Sequence, residues 1–85
     1  MERNEDAIEV FRTVLERSPN NLFAHIDLTA AYIGSGREEE ARHQAQELLR
    51  LDPAFSLDKL AETIFMKDEA QAEQFFDNLR RAGLK

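Results

Sequence analysis

The 85-residue chain has no cysteine, no tryptophan, two prolines and three glycines. Without cysteine there is neither a disulfide framework nor a thiolate metal site. That suits a reducing compartment, and the cytoplasm is the expected location. No apolar run approaches the ~18 residues that a membrane-spanning helix needs, so no membrane span is expected. The opening MERNEDAIEV lacks the basic-then-apolar order of a secretory signal. Clustered basic residues are scarce too: Arg80-Arg81, with Lys85 nearby, is the only group, and the formal net charge is −6. By segment the charge is −2 over residues 1–18, −3 over 19–52 and −1 over 53–85, so no part is basic. Nucleic-acid binding rests on phosphate neutralisation by clustered Lys and Arg, and it is not expected here. Arg80 and Arg81 read more simply as complements to a helix dipole at a C-terminal end.

What is present is a chain 42% hydrophobic and 33% charged, which suits one small folded domain of slender helical layers. A chain this short buries only about 60 to 65 per cent of its unfolded surface. The prolines and glycines all fall at boundaries, at Pro19, Gly34-Ser35-Gly36, Pro53 and Gly83. Between them the apolar residues recur at helical spacing. Residues 4–17 carry Ala7, Ile8, Val10, Phe11, Val14 and Leu15 on one face, with Asn4 as the expected N-cap. Residues 22–33 are apolar on more than one side, which predicts a helix covered on two sides. Arg37 to Leu51 places Ala41, Ala45, Leu48 and Leu49 on one face, and Asp52-Pro53 ends it. Beyond Pro53, Ser56 and Asp68 read as N-caps of two further helices. The last of these ends at Gly83, with Leu84 folding back as the partner of a Schellman cap.

A shift of 34 residues aligns Ala7 with Ala41, Val14 with Leu48 and Pro19 with Pro53. Residues 21–52 then form one full helix-turn-helix unit, marked by Leu28, Tyr32, Gly36, Ala41, Leu48 and Pro53 and by the turn SGREEEA. On those residues the chain resembles the tetratricopeptide repeat (TPR) family. His25, Thr29 and Ala45 depart from it, where the family pattern has Trp, a small residue and an aromatic. The resemblance implies an all-α, right-handed superhelix of antiparallel helix pairs, about five helices in all. Residues 4–17 are then the second helix of a truncated repeat, so the chain reads as part of a longer array or a multidomain protein. Residues 55–84 form a shortened C-terminal capping repeat, with Ala72, Phe76 and Leu79 carrying the spacing of the second repeat helix.

The tail carries a second likeness, through Pro53, Phe55, Ser56, Phe65, Lys67, Asp68, Phe75, Leu79, Arg80, Ala82, Gly83 and Leu84. It is similar to the TPR region that closes bacterial class III adenylate or guanylate cyclases. That likeness implies a regulatory, non-catalytic segment of a larger signalling protein.

Catalytic candidates fail one by one. His25 and His43 stand on different helices; His25 reads as a packing residue and His43 as a solvated one. Glu38-Glu39-Glu40 sits at a helix start, where negative charge is favoured. Ser35 lies between glycines with no preceding strand, so it suggests neither a phosphate loop nor a nucleophile elbow. No catalytic residue, metal or cofactor is expected, and the segment is not expected to be an enzyme.

A surface remains. The family resemblance implies a concave groove at Phe23, Ile26, Asp27, Ala30 and Ile33, continued by Leu57, Leu60, Ala61 and Ile64, for a peptide or partner protein. Asp27 would repel a terminal carboxylate, which argues against the carboxylate-clamp mode of chaperone-binding relatives. The alternative is self-association, a homodimer formed through Ile8, Phe11 and Leu15 on a first helix left bare by the missing half-unit.

Overall fold

The structure, a computed structural model, describes residues 2–63 and 67–85, with side chains described from Glu5 onward. Five helices follow in order: α1 (Glu2–Arg17), α2 (Leu22–Gly34), α3 (Glu38–Leu51), α4 (Leu57–Thr63) and α5 (Glu69–Arg81). There is no strand among the described residues, and the fold is all-α and TPR-like.

Local chemistry sets the helix starts. Asn21 Oδ1 accepts the Ala24 N–H at 3.2 Å, and Ser56 Oγ accepts that of Lys59 at 3.1 Å. Asp68 Oδ1 accepts both the Ala70 and Gln71 N–H groups, at 2.9 and 3.2 Å. Each satisfies donors that a helix start otherwise leaves unpaired. Asn4 does not play this part. Helix α1 already begins at Glu2, because the Glu and Arg ahead of Asn4 are good helix formers and carry the helix past it. Arg37 is likewise outside α3, as a cap residue with no side-chain bond, and Glu38 to Glu40 supply the first-turn charge.

Two helix ends are Schellman motifs. At the end of α2, Arg37 N–H donates to Tyr32 O at 2.8 Å and Gly36 N–H to Ile33 O at 3.1 Å. At the end of α5, Leu84 N–H donates to Leu79 O at 3.1 Å and Gly83 N–H to Arg80 O at 2.9 Å. The motif requires a left-handed residue, which Gly36 (φ 81°) and Gly83 (φ 102°) provide. Leu79 and Leu84, at the two positions where the motif places its hydrophobic pair, are both buried.

Helix α2 is the centre of the molecule. Nine of its thirteen residues are buried, because α1, α3 and α5 all pack on it. Small residues let those neighbours approach: Ala41 and Ala45 on α3, Ala30 and Ala31 on α2. The polar groups caught inside are satisfied. Thr29 Oγ1 donates to His25 O at 2.7 Å. His25 Nε2 faces the Pro19 carbonyl at 2.8 Å and so carries the proton, while Nδ1 accepts from the Gln44 amide. His25 thus packs the turn before α2 against α3, with both ring nitrogens occupied. His43 is exposed.

Helix α5 packs on α2. Asn78 Nδ2 donates to Ala30 O at 3.4 Å, and Arg81 reaches Glu38 at 3.2 Å. Leu79, Ala82 and Leu84 enter the same core, and the backbone oxygen of Lys85 accepts the Leu57 N–H at 2.8 Å. The terminal segment therefore closes over the start of α4. The radius of gyration, 11.9 Å, equals the ~12 Å of a compact domain of this length rather than that of an extended array.

At both left-handed glycines an added Cβ would meet nothing within 4 Å, so any penalty comes from the backbone alone. Gly36→Ala and Gly83→Ala are each expected to cost about 1–2 kcal/mol in urea unfolding with an unchanged m-value. Gly83→Asn should cost less, because Asn tolerates that conformation; equal midpoints for the Ala and Asn variants would overturn the backbone account.

Candidate functional site

Two clefts flank α2. The first lies between the start of α2 and the segment leading into α4. Leu22, Phe23, Ile26, Phe55 and Leu60 make it chiefly apolar, and Asp52, Ser56, Lys59 and Thr63 complete it. Its volume is about 160 Å³. Phe23 stands at its edge with 56% of its surface exposed. The second cleft, of about 420 Å³, lies between α1, α2 and α5. Ala7 and Phe11 come from α1, Asp27, Ala30 and Ala31 from α2, and Gln71, Gln74, Phe75 and Asn78 from α5.

The residues expected to form one continuous groove are therefore divided. Phe23, Ile26 and Leu60 share the first cleft, while Asp27 and Ala30 line the second. Ile33 and Leu57 belong to the core, as do the buried faces of Ile26, Ala30 and Leu60. Ala61 is exposed and lines neither cleft. Ile64 lies outside the described residues. The division has a physical cause: α5 covers α2 at Ala30, and the bond from Leu57 to Lys85 draws the chain's last residues over the start of α4.

The first helix is not bare. Ile8 is only 2% exposed, and Phe11 and Leu15 are partly buried against the same core. The face expected to be left open is turned onto α2, where burial of these side chains is worth more than exposure. The large apolar side chain that the described part of α1 leaves in solvent is Val10, 57% exposed.

Sequence reasoning missed the α5 wall of the second cleft. Ala72, Phe76 and Leu79 follow the repeat spacing, yet Gln71, Gln74, Phe75 and Asn78 occupy the adjoining positions and no local signal says which helix they face. Phe75 meets Phe76 edge-on, with ring centroids 5.5 Å apart and planes at 76°.

Asp27 is half-buried in this cleft, and burial raises its carboxyl above the ordinary carboxylate value. None of the described residues forms an ion pair with it. The ion pairs among the described residues lie elsewhere, such as Arg37 with Glu5 at 2.8 Å, which ties the α2–α3 turn to α1 on the exposed surface. Among the described residues no group of three or more His, Asp or Glu side chains is placed to hold a metal ion. No described helix is long and apolar enough to cross a membrane.

The sequence model of the tetratricopeptide repeat family matches residues 1–61, and the chain belongs to that family. The family mediates protein–protein contact in general. No curated protein and no solved structure matches the chain. The matched segment holds α1 to α3 and most of α4; α5, which completes the second cleft, lies beyond it.

The folded state binds the Asp27 proton more tightly than the unfolded chain, so this group contributes stability below its unfolded pKa that is lost as pH rises through the folded value. Asp27→Asn is thus expected to be more stable than the parent at pH 7, with the gap closing as pH falls toward about 4. Urea midpoints for both proteins across that range check this; equal midpoints at pH 7 would count against an uncompensated buried charge.

Proposed function

We propose that the chain is a protein–protein interaction module that holds a peptide or partner domain in the clefts along α2. The observation that carries this reading is Phe23. This residue is 56% exposed beside an apolar wall of Leu22, Ile26, Phe55 and Leu60. The described fold does not need that ring in its core, and an exposed apolar patch bordering a cleft marks a contact site. Burying a phenyl ring in a partner contributes about 1.5–3 kcal/mol, enough to dominate a short peptide's affinity. Family membership supports the same reading.

The likeness of the tail to the end of bacterial class III nucleotide cyclases supports a finer placement. On it, the module is a C-terminal regulatory segment of a larger signalling protein, and the partner's binding is sensed by an attached enzyme. Joining the chain to the coding sequence upstream of it tests this: a cyclase catalytic domain there supports the placement, and an unrelated domain removes it.

Peptides selected on the immobilised chain from a random library are expected to bind saturably in calorimetry. Phe23→Ala should weaken them about tenfold or more while the circular dichroism spectrum is unchanged. Undiminished affinity would remove this cleft from the binding surface. Self-association through Ile8, Phe11 and Leu15 is disfavoured by their burial, so sedimentation equilibrium should show one species of 9.8 kDa over a hundred-fold concentration range. A reversible dimer would revive the alternative.

A further inference from the structure

The second cleft has a chemistry of its own. Among the described residues its only charged group is the Asp27 carboxylate, and none of them brings a basic side chain to its lining. Two phenyl rings, Phe11 and Phe75, stand in its walls, the latter held edge-on by Phe76. The amides beside them are oriented by a chain of bonds. Asn78 must turn its NH₂ to the Ala30 carbonyl, so its oxygen faces Gln74 and accepts that residue's NH₂ at 2.8 Å. Gln74 has then spent a donor on Asn78, and its own carbonyl oxygen remains as an acceptor. The cleft thus combines a carboxylate, an amide oxygen and aromatic faces, and none of the described residues lining it offers a counter-charge.

We propose that this cleft receives an arginine side chain of a protein partner, with Asp27 as its counter-ion. This rests on the reading of the chain as a protein-interaction module and names what one of its clefts selects. Charge complementarity carries the choice of occupant. A guanidinium has donors in a planar fork, no acceptor, and a flat face that stacks on phenyl rings; it matches this set of groups better than a compact ammonium does. The cleft is also wide enough, at about 420 Å³, to admit the side chain with its aliphatic stem. An arginine there would supply the ion pair that Asp27 lacks among the described residues, and the burial that penalises the carboxylate would strengthen that pair.

The test is an NMR titration of the ¹⁵N-labelled 85-residue chain with three blocked amino acids: the N-acetyl N-methylamides of arginine, citrulline and norleucine. Citrulline keeps the shape of arginine and removes its charge; norleucine keeps the apolar stem. The expected result is saturable shifts at the Asp27 backbone and the Gln71, Gln74 and Asn78 side-chain amides with arginine, about tenfold weaker with citrulline. In Asp27→Asn, a near-isosteric change, the preference for arginine over citrulline should fall to about one. Equal binding of arginine and citrulline by the parent, shifts that do not saturate, or a preference that survives in Asp27→Asn would each overturn the proposal. Spectra recorded with library-selected peptides separate the two levels. Peptides that shift residues around Phe23 but leave Asp27 and Gln74 unmoved would sink the arginine site and spare the interaction module. A library that yields no saturable binder would sink the module itself.

Discussion

Burial of α2 on several sides is the constraint on which the rest of the molecule depends. A thirteen-residue helix with nine buried positions exposes too much apolar surface to persist in water with one neighbour. It needs α1, α3 and α5 together, and those three packings account for the architecture. The small side chains at Ala30, Ala31, Ala41 and Ala45 set how closely they approach, while Leu28, Leu48 and Leu79 fill the space between. The turns and caps are subordinate to this. Gly36 and Gly83 end helices where the core demands that the chain reverse.

Covering α2 with α5 has a consequence for the surface. A stack of helix pairs would leave the first helix of each unit along one concave face. Here the last helix packs on α2, so part of that face becomes core and the remainder is divided between two clefts of different character. One is apolar and edged by Phe23. The other is walled by phenyl rings and amides around a lone carboxylate. Partial burial disfavours the charged form of Asp27, and no described cation pairs with it.

Much of this was legible along the chain. Helical spacing, boundary prolines and glycines, and the caps at Asn21, Ser56 and Asp68 are local features, decided by bonds that span a few residues. The Leu84 fold-back was legible for the same reason: the Schellman motif joins residues five apart. Asn4 misled because a capping side chain competes with helix propagation, and Glu2 and Arg3 favour propagation. The role of His25 was legible in part. Its place in the repeat marks it as a packing residue, but its bonds to Pro19 and Gln44 exist only once α3 has docked.

Five helices, most of their boundaries, the family and the apolar character of α2 could be read from the chain alone, because each follows from short-range spacing. Tertiary structure alone decided which helix α5 would cover. Nothing in the local pattern of Gln71, Gln74, Phe75 and Asn78 distinguishes α2 from α4 as their neighbour. That choice rests on the summed burial of Leu79, Ala82 and Leu84 in a core whose α2 residues lie 40 or more positions earlier in the chain. The packing of α1, α3 and α5 on α2 makes Ile8, Ile33 and Leu57 core rather than contact residues, and Phe23 and Asp27 line the clefts on either side.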